Sequence, residues 1–232
     1  MVFDSIVSRF LYILKLKIAA WYDSTAAEYA KRDEENPKAN LDIKNMVKNL
    51  TSFQKNSLCL DLGCGAGRYF SFIEGETVGV DLSTDMLKRA KKYKEVNLIK
   101  ADIYYLPFQK ETFDFILSIS VIGEYCPFDL KLLKEICSVL RSKGTFLFTV
   151  IPLHHLLLPF KKYLMFFLPL QIFNLIRGRS VPFHFGVSKF EVRNKLRKFG
   201  LEIVQIKERH GSSYPHFIVL AVRFPGQRNE QN

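Results

Sequence analysis

Leu60-Asp61-Leu62-Gly63-Cys64-Gly65-Ala66-Gly67-Arg68 joins an apolar run to three alternating glycines, with a carboxylate placed just ahead of them. This is the pattern of a buried strand running into a tight turn. Glycine reaches positive φ and carries no Cβ, so the backbone can reverse sharply and a ligand can approach it closely. The spacing is G-x-G-x-G, not the G-x-G-x-x-G of dinucleotide pyrophosphate sites. Asp61 would also repel a phosphate. A helix is expected from about Arg68, aiming its first free N–H groups at whatever occupies the turn. The turn suits a nucleoside-containing ligand with a cationic or zwitterionic part.

Segments further along add to this reading. Thr77-Val78-Gly79-Val80-Asp81 reads as a second strand ending in an acid, which can accept two hydrogen bonds from a ribose diol. Val96-Asn97-Leu98-Ile99 reads as a third strand, after which Asp102 could accept from an adenine amino group while Ile103 covers the ring. Phe113 to Ser118 reads as a fourth strand and Thr145 to Val150 as a fifth. Helices are expected at Leu41–Leu50, Ser83–Tyr93 and Phe128–Arg141, the last closed by Gly144. Ser188-Lys189-Phe190-Glu191 is a capping box opening a helix that Gly200 ends. Leu201–Ile206 and His216–Val222 read as the final strands. Short strands alternating with helices argue for an α/β fold with a parallel sheet and helices on both faces.

The ordered set LDLGCGAGR, GVDLSTDML, ADIYYLPF, ETFDFILSISVIGEY and LLKEICSVLRSKGTFLFTV resembles the class I S-adenosylmethionine (SAM) dependent methyltransferases, and among them the small-molecule "methyltransferase type 11" group. The resemblance is good over residues 22–150 and looser over 188–223. It implies a Rossmann-like sheet of seven strands, mostly parallel with the last antiparallel, and SAM as cofactor. It also implies that Gly63, Gly65 and Gly67, with Cys64, pass under the methionine part and that Asp61 lies near its amino group. Asp81 and Leu82 would hold the ribose, and Asp102 and Ile103 the adenine. Ser118 would form the floor at the fourth strand's end. Tyr22-Asp23-Ser24 through Tyr29 is similar to the family's lead-in, in which Tyr22 or Tyr29 closes over the cofactor.

The expected organisation is an N-terminal basic, apolar helix (1–21), a SAM-binding core (22–150), an apolar and basic insert (151–187), a C-terminal helix with two strands (188–224) and a tail (225–232). Arg9, Lys15 and Lys17 interrupt any signal-peptide core, and every apolar run is shorter than the ~20 residues that span a bilayer. Cys59, Cys64, Cys126 and Cys137 lack zinc-site spacing, so they read as reduced core or site-lining residues, no metal is expected, and the expected compartment is the cytoplasm.

The net charge is +11, of which residues 151–232 contribute +9 with 13 Lys/Arg against four Asp/Glu. That third also holds the aromatic insert (Phe160, Tyr163, Met165, Phe166, Phe167, Phe173), bracketed by Lys161, Lys162, Arg177 and Arg179. Following the fifth strand, it would sit at the carboxyl edge, where open α/β sheets bind ligands. It reads as a lid for a small, hydrophobic or lipid-like acceptor, reached at an anionic membrane surface by peripheral contact. The alternative is extra core or a dimer face. Any base needed for methyl transfer is sought at Glu124 and Tyr125 after the fourth strand, or at His154, His155 and His184.

Two other functions compete. An RNA or protein methyltransferase would use the basic C-terminal third, although the aromatics gather in the insert rather than interleaving with basic residues, and the N/D-P-P-Y/F motif of amino-group methyltransferases is absent from Ser118-Ile119-Ser120-Val121. A SAM-binding module without catalysis would keep the same glycines and acids.

Overall fold

The protein is described from a computed structural model, which covers residues 2–36, 38, 40–52, 57–93, 95–153, 185–210 and 215–224. Among these residues, one sheet is built from β1 (Leu58–Leu62), β2 (Glu76–Asp81), β3 (Val96–Lys100), β4 (Phe113–Ser118), β5 (Leu140–Val150), β6 (Leu201–His210) and β7 (Pro215–Arg223). Their order across the sheet is β3-β2-β1-β4-β5-β7-β6. The pairs from β3 to β5 are parallel, and β7 runs antiparallel to both β5 and β6. This is the expected α/β, Rossmann-like sheet with an antiparallel last strand.

Strand periodicity divides the core between the two faces. Leu60 and Leu62, Ile116, Phe146 and Phe148, and Val219 and Ala221 join one buried cluster. Their neighbours Cys59, Phe115 and Leu117, Leu147, and Ile218 and Leu220 join the other. A side-chain period of two sends alternate residues to opposite faces, and both faces are covered because these strands are apolar throughout.

Five helices are described: α1 (Val2–Glu35), α2 (Leu41–Ser52), α3 (Thr84–Ala90), α4 (Leu130–Val139) and α5 (Lys189–Arg197). The expected N-terminal helix and the lead-in from Tyr22 form one continuous helix, α1. At α3, Ser83 accepts from the Met86 N–H, and at α4 Asp129 accepts from the Leu132 N–H. Ser188 caps α5 through the Glu191 N–H, while the Glu191 carboxylate pairs with Lys195 at 2.6 Å. The box is therefore half used.

Two expectations need correction. No α-helix follows the glycine turn; only a 3-10 turn at Phe70–Phe72 forms. Between Gly67 and Gly75 the adjacent residues Tyr69 and Phe70 are buried in two different clusters, so the segment is held by separate anchors. Helix α4 also ends earlier than expected, with Leu140 as its cap, and Gly144 lies within β5. Arg141 explains the early strand. Its guanidinium holds Asp114 of β4 at 2.7 Å, while Asp114 accepts the Leu58 N–H at 3.0 Å.

Of the insert, residues 154–184 fall outside the described residues, and with them His154, His155, His184 and the aromatic run. The tail 225–232 is likewise outside. No helix among the described residues is long and apolar enough to cross a membrane.

Candidate functional site

The glycine turn opens onto a cavity of about 400 Å³ at the carboxyl edge of the sheet. Gly63, Cys64, Gly65 and Ala66 border it, as do Asp61, Asp81, Leu82, Asp102 and Ile103. The Gly63 and Cys64 N–H groups both donate to the Val80 carbonyl, at 2.8 and 3.0 Å, which ties the turn to β2. The three glycines answer different demands. A Cβ on Gly63 would fall 2.3 Å from a Val121 methyl, and one on Gly67 would fall 2.6 Å from the Phe70 ring. Gly67 is thus a packing glycine set back from the cavity. At Gly65, with φ +54°, a Cβ would meet nothing within 4 Å and would project into open space.

Asp61 is 2% exposed, and its Oδ2 has no hydrogen-bond partner among the described residues. Burial pushes its carboxyl up to about 8, and the neighbouring Asp81 charge adds to this. An unpartnered buried carboxylate costs several kcal/mol, on the order of 2–7 for a polar group and more for a charge. A cationic partner supplied by a ligand would remove that cost. Asp81 differs: it accepts the Gly65 and Ser83 N–H groups, each at 2.8 Å. Burial raises its carboxyl, and these two bonds oppose the rise. Each oxygen already holds one N–H and keeps further acceptor capacity.

At the far end Asp102 is engaged by α1. Lys15 Nζ lies 3.1 and 2.8 Å from the two Asp102 oxygens and 3.7 Å from the centre of the Tyr104 ring. The Tyr104 N–H also donates to Asp102, at 3.0 Å. The acid expected to meet adenine therefore meets an ammonium group here. Asp23 fastens the same helix near α3, accepting from Ser83 Oγ at 2.6 Å and from the Asp85 N–H at 3.0 Å. Burial opposes ionisation of Asp23, but these donors outweigh it and hold the carboxyl below its usual range.

The opposite wall is aromatic. Tyr22 packs edge-on against Tyr29 and Tyr125, with ring centres 5.4 and 5.2 Å apart. Burial drives the Tyr22 and Tyr125 phenols far above their ordinary range; the other phenols reinforce this at Tyr22, and the Glu124 charge does so at Tyr125. Both hydroxyls remain neutral. Cys64 and Cys126 also line the cavity, and burial raises both thiols, so they act as neutral packing groups rather than thiolates. The cysteines are free and buried, as expected.

Glu124, 2% exposed, sits in a turn where Gly123 takes φ +83° and its N–H reaches the Cys126 carbonyl at 2.7 Å. Glu124 Oε1 lies 2.8 Å from His216 Nε2 at the start of β7. His216 was not expected as a site residue. Because β7 is antiparallel, its first residues return to the carboxyl edge. The end of β6 reaches the same edge, so Arg209 lines the cavity too, held by Asn40 at 2.9 Å and Asp42 at 2.7 Å.

Ser118 ends β4, the expected position, but does not border the cavity. It is fully buried and donates to the Leu62 carbonyl at 3.2 Å, while Ile119, Ser120 and Val121 border the cavity beyond the strand. Among the described residues no group of three or more His, Cys, Asp or Glu could hold a metal.

A methyltransferase-domain family model matches residues 60–148. An uncharacterized protein of Methanocaldococcus jannaschii is 35% identical over 140 residues, 56% of this chain and 60% of that protein. The chain thus spans about three fifths of that relative's length. A malonyl-[acyl-carrier protein] O-methyltransferase of Hamiltonella defensa is 36% identical over 107 residues, 44% of this chain and 41% of that protein. Among solved structures, magnesium protoporphyrin IX methyltransferase of Synechocystis PCC 6803 with bound SAH superposes with a TM-score of 0.64 at 16% identity, covering 90% of this chain and 99% of the other. The chain thus carries a methyltransferase-domain match over residues 60–148, on a sheet with the fold of solved SAM-dependent methyltransferases.

Proposed function

We propose that this chain binds SAM and transfers its methyl group to a small, apolar or lipid-like acceptor. The observation that carries the donor half of this reading is Asp61, a sealed carboxylate with an unpartnered oxygen beside a glycine turn open at Gly65. The α-ammonium of SAM supplies the missing partner. Asp81 would hold the ribose hydroxyls through its remaining acceptor capacity, and Ile103 would cover the adenine. Asp102 would meet the adenine amino group with the acceptor capacity that Lys15 and the Tyr104 N–H leave it. When bound, SAM supplies an electrophilic methyl on a sulfonium, and the chain's work is to orient the two reactants and exclude water.

The acceptor half rests on the wall formed by Tyr22, Tyr29 and Tyr125 with Ile18, Ala19 and Val121. These side chains favour an apolar body over a polyanionic one. The aromatic, basically flanked insert that follows β5 in sequence supports the same preference, and with it peripheral contact at an anionic membrane surface.

The test is incubation of the full chain with methyl-labelled SAM and separate lipid, small-metabolite and RNA extracts. Label is expected in the lipid or apolar metabolite fraction. Label confined to RNA would overturn the acceptor class, and tight SAM binding with no label in any fraction would favour a non-catalytic module. Flotation with anionic liposomes at low salt checks the membrane contact; failure to float would favour a lid, core or dimer role for the insert.

A further inference from the structure

Two groups at the cavity, Tyr69 and Arg209, have no task in the donor assignment. Tyr69 is 5% exposed yet borders the cavity. Its hydroxyl and Asp61 Oδ2 are the two buried side-chain polar atoms that lack a hydrogen-bond partner among the described residues. Burial raises the Tyr69 phenol; the Arg68 and Arg209 charges oppose that rise, and the Asp61 charge adds to it. Two guanidinium charges therefore reach an oxygen on which no ordinary hydrogen bond closes.

Strand pairing brings Arg209 to this place. It stands opposite His216 in the antiparallel β6–β7 register, and residues so paired put their side chains on one face of the sheet. Ile218, two residues past His216, shares that face and is buried in the same cluster as Tyr69. The guanidinium is held at two points, Nη1 by Asn40 at 2.9 Å and Nε by Asp42 at 2.7 Å. The Asp42 side chain is 49% exposed, so water screens that ion pair. The second N–H of Nη1 and both of Nη2 have no partner among the described residues. An Nη1–Nη2 edge offers two parallel N–H bonds, the fork that fits a carboxylate. The Tyr69 O–H is a further donor of the same kind.

We propose that Arg209, with the Tyr69 hydroxyl, anchors a carboxylate of the methyl acceptor, whose apolar body lies along the wall of Tyr22, Tyr29 and Tyr125. This rests on the methyl-transfer reading above and narrows its acceptor to an amphiphile with one anionic end. Asp61 is the acid that would oppose an anion beside Tyr69. The α-ammonium of SAM would meet it, so the acceptor's carboxylate binds after the donor. SAM carries a carboxylate of its own, and the test separates the two sources.

The test begins with calorimetry of SAM on the full-length wild-type chain, where no binding overturns the methyl-transfer reading itself. The chain is then saturated with S-adenosylhomocysteine and titrated with para-hexylbenzoate and with its neutral counterpart, para-hexylbenzamide. The benzoate should bind about tenfold tighter or more, the range for hydrogen bonds to a charged group. Arg209→Gln should cut that preference to about twofold or less. SAM affinity should stay within about threefold in that variant, which also reports that it is folded. Tyr69→Phe should weaken the benzoate about threefold without lowering the melting temperature, since it removes an unpartnered hydroxyl. On the labelled acceptor fraction, Arg209→Gln should raise KM about tenfold and leave kcat within about twofold. Equal binding of the two probes, no binding of the benzoate, or a preference that survives Arg209→Gln would each overturn the proposal. A tenfold loss of SAM affinity in Arg209→Gln would also overturn it, by giving the guanidinium to the donor's carboxylate. So would a labelled product with no anionic group.

Discussion

The cavity has two ends built by opposite rules. The proposed donor end takes its groups from one stretch of chain, residues 61–103: a turn tied to β2 by its own amides, an open glycine and acids at successive strand ends. The proposed acceptor end is assembled from α1, the turn after β4, the end of β6 and the start of β7, through side chains such as those of Tyr22, Tyr125, Arg209 and His216. A site local in sequence can be shared by many proteins, whereas a side-chain site drawn from distant elements can change its acceptor without disturbing the donor.

Asp61→Asn should break the donor end most sharply. Removing the charge that a bound ammonium would meet in a sealed site costs on the order of 3–5 kcal/mol, a loss of about 10²-fold or more in SAM affinity measured by calorimetry. The same change should stabilise the ligand-free chain at pH 8. A folded carboxyl raised to about 8 keeps its proton while the unfolded one, near 4, loses it, so Asp61 lowers stability progressively as pH rises from about 4 to about 8. Thermal unfolding of wild type against Asp61→Asn should coincide near pH 4 and diverge toward pH 8, with the variant higher. Equal melting at pH 8 would mean that Asp61 is not held as an uncompensated acid.

Gly65→Val should follow, since its side chain would enter the cavity from a residue at φ +54°. SAM affinity should fall by about tenfold or more, with the fold retained by circular dichroism. Tyr22→Phe touches the other end. It should raise the acceptor KM about threefold and leave SAM affinity unchanged, and a larger change in SAM affinity would move Tyr22 to the donor side. The smallest effect is expected from Lys15→Ala. It removes a partly buried ion pair worth about 1 kcal/mol that competes for Asp102, and should tighten SAM several-fold. Weaker binding would mean that Asp102 does not serve the adenine.

The legibility of the sequence follows the same division. The placement of Asp61, Gly63, Gly65, Asp81 and Asp102 along the cavity is legible because each lies at or just past the end of a short apolar run, and such runs announce strands. His216 was read only as a strand residue. Its meeting with Glu124 depends on β7 lying beside β5 and running backward, which no local pattern states. The one signal in the sequence is the expected antiparallel last strand, whose first residues must return to the carboxyl edge. Lys15 was hidden differently: it looked like a charge interrupting an apolar helix, and only the docking of α1 reveals its carboxylate. The helix expected after Arg68 is absent because the adjacent residues Tyr69 and Phe70 are each drawn into a separate buried cluster, which a reading of the glycine turn alone does not show.

That last detail bears on motion. A glycine loop is usually steadied by the helix that follows it, and here a three-residue 3-10 turn stands in that place. Tyr69 anchors the loop to the cluster containing Leu147 and Ile218, and Phe70 anchors it to the cluster containing Leu87 and Ala90. The loop is pinned in two separate clusters on one face of the sheet, so its Gly63 and Cys64 amides should exchange with solvent deuterium only as fast as the sheet itself opens. The part of the molecule richest in glycine would then be among its slowest to exchange.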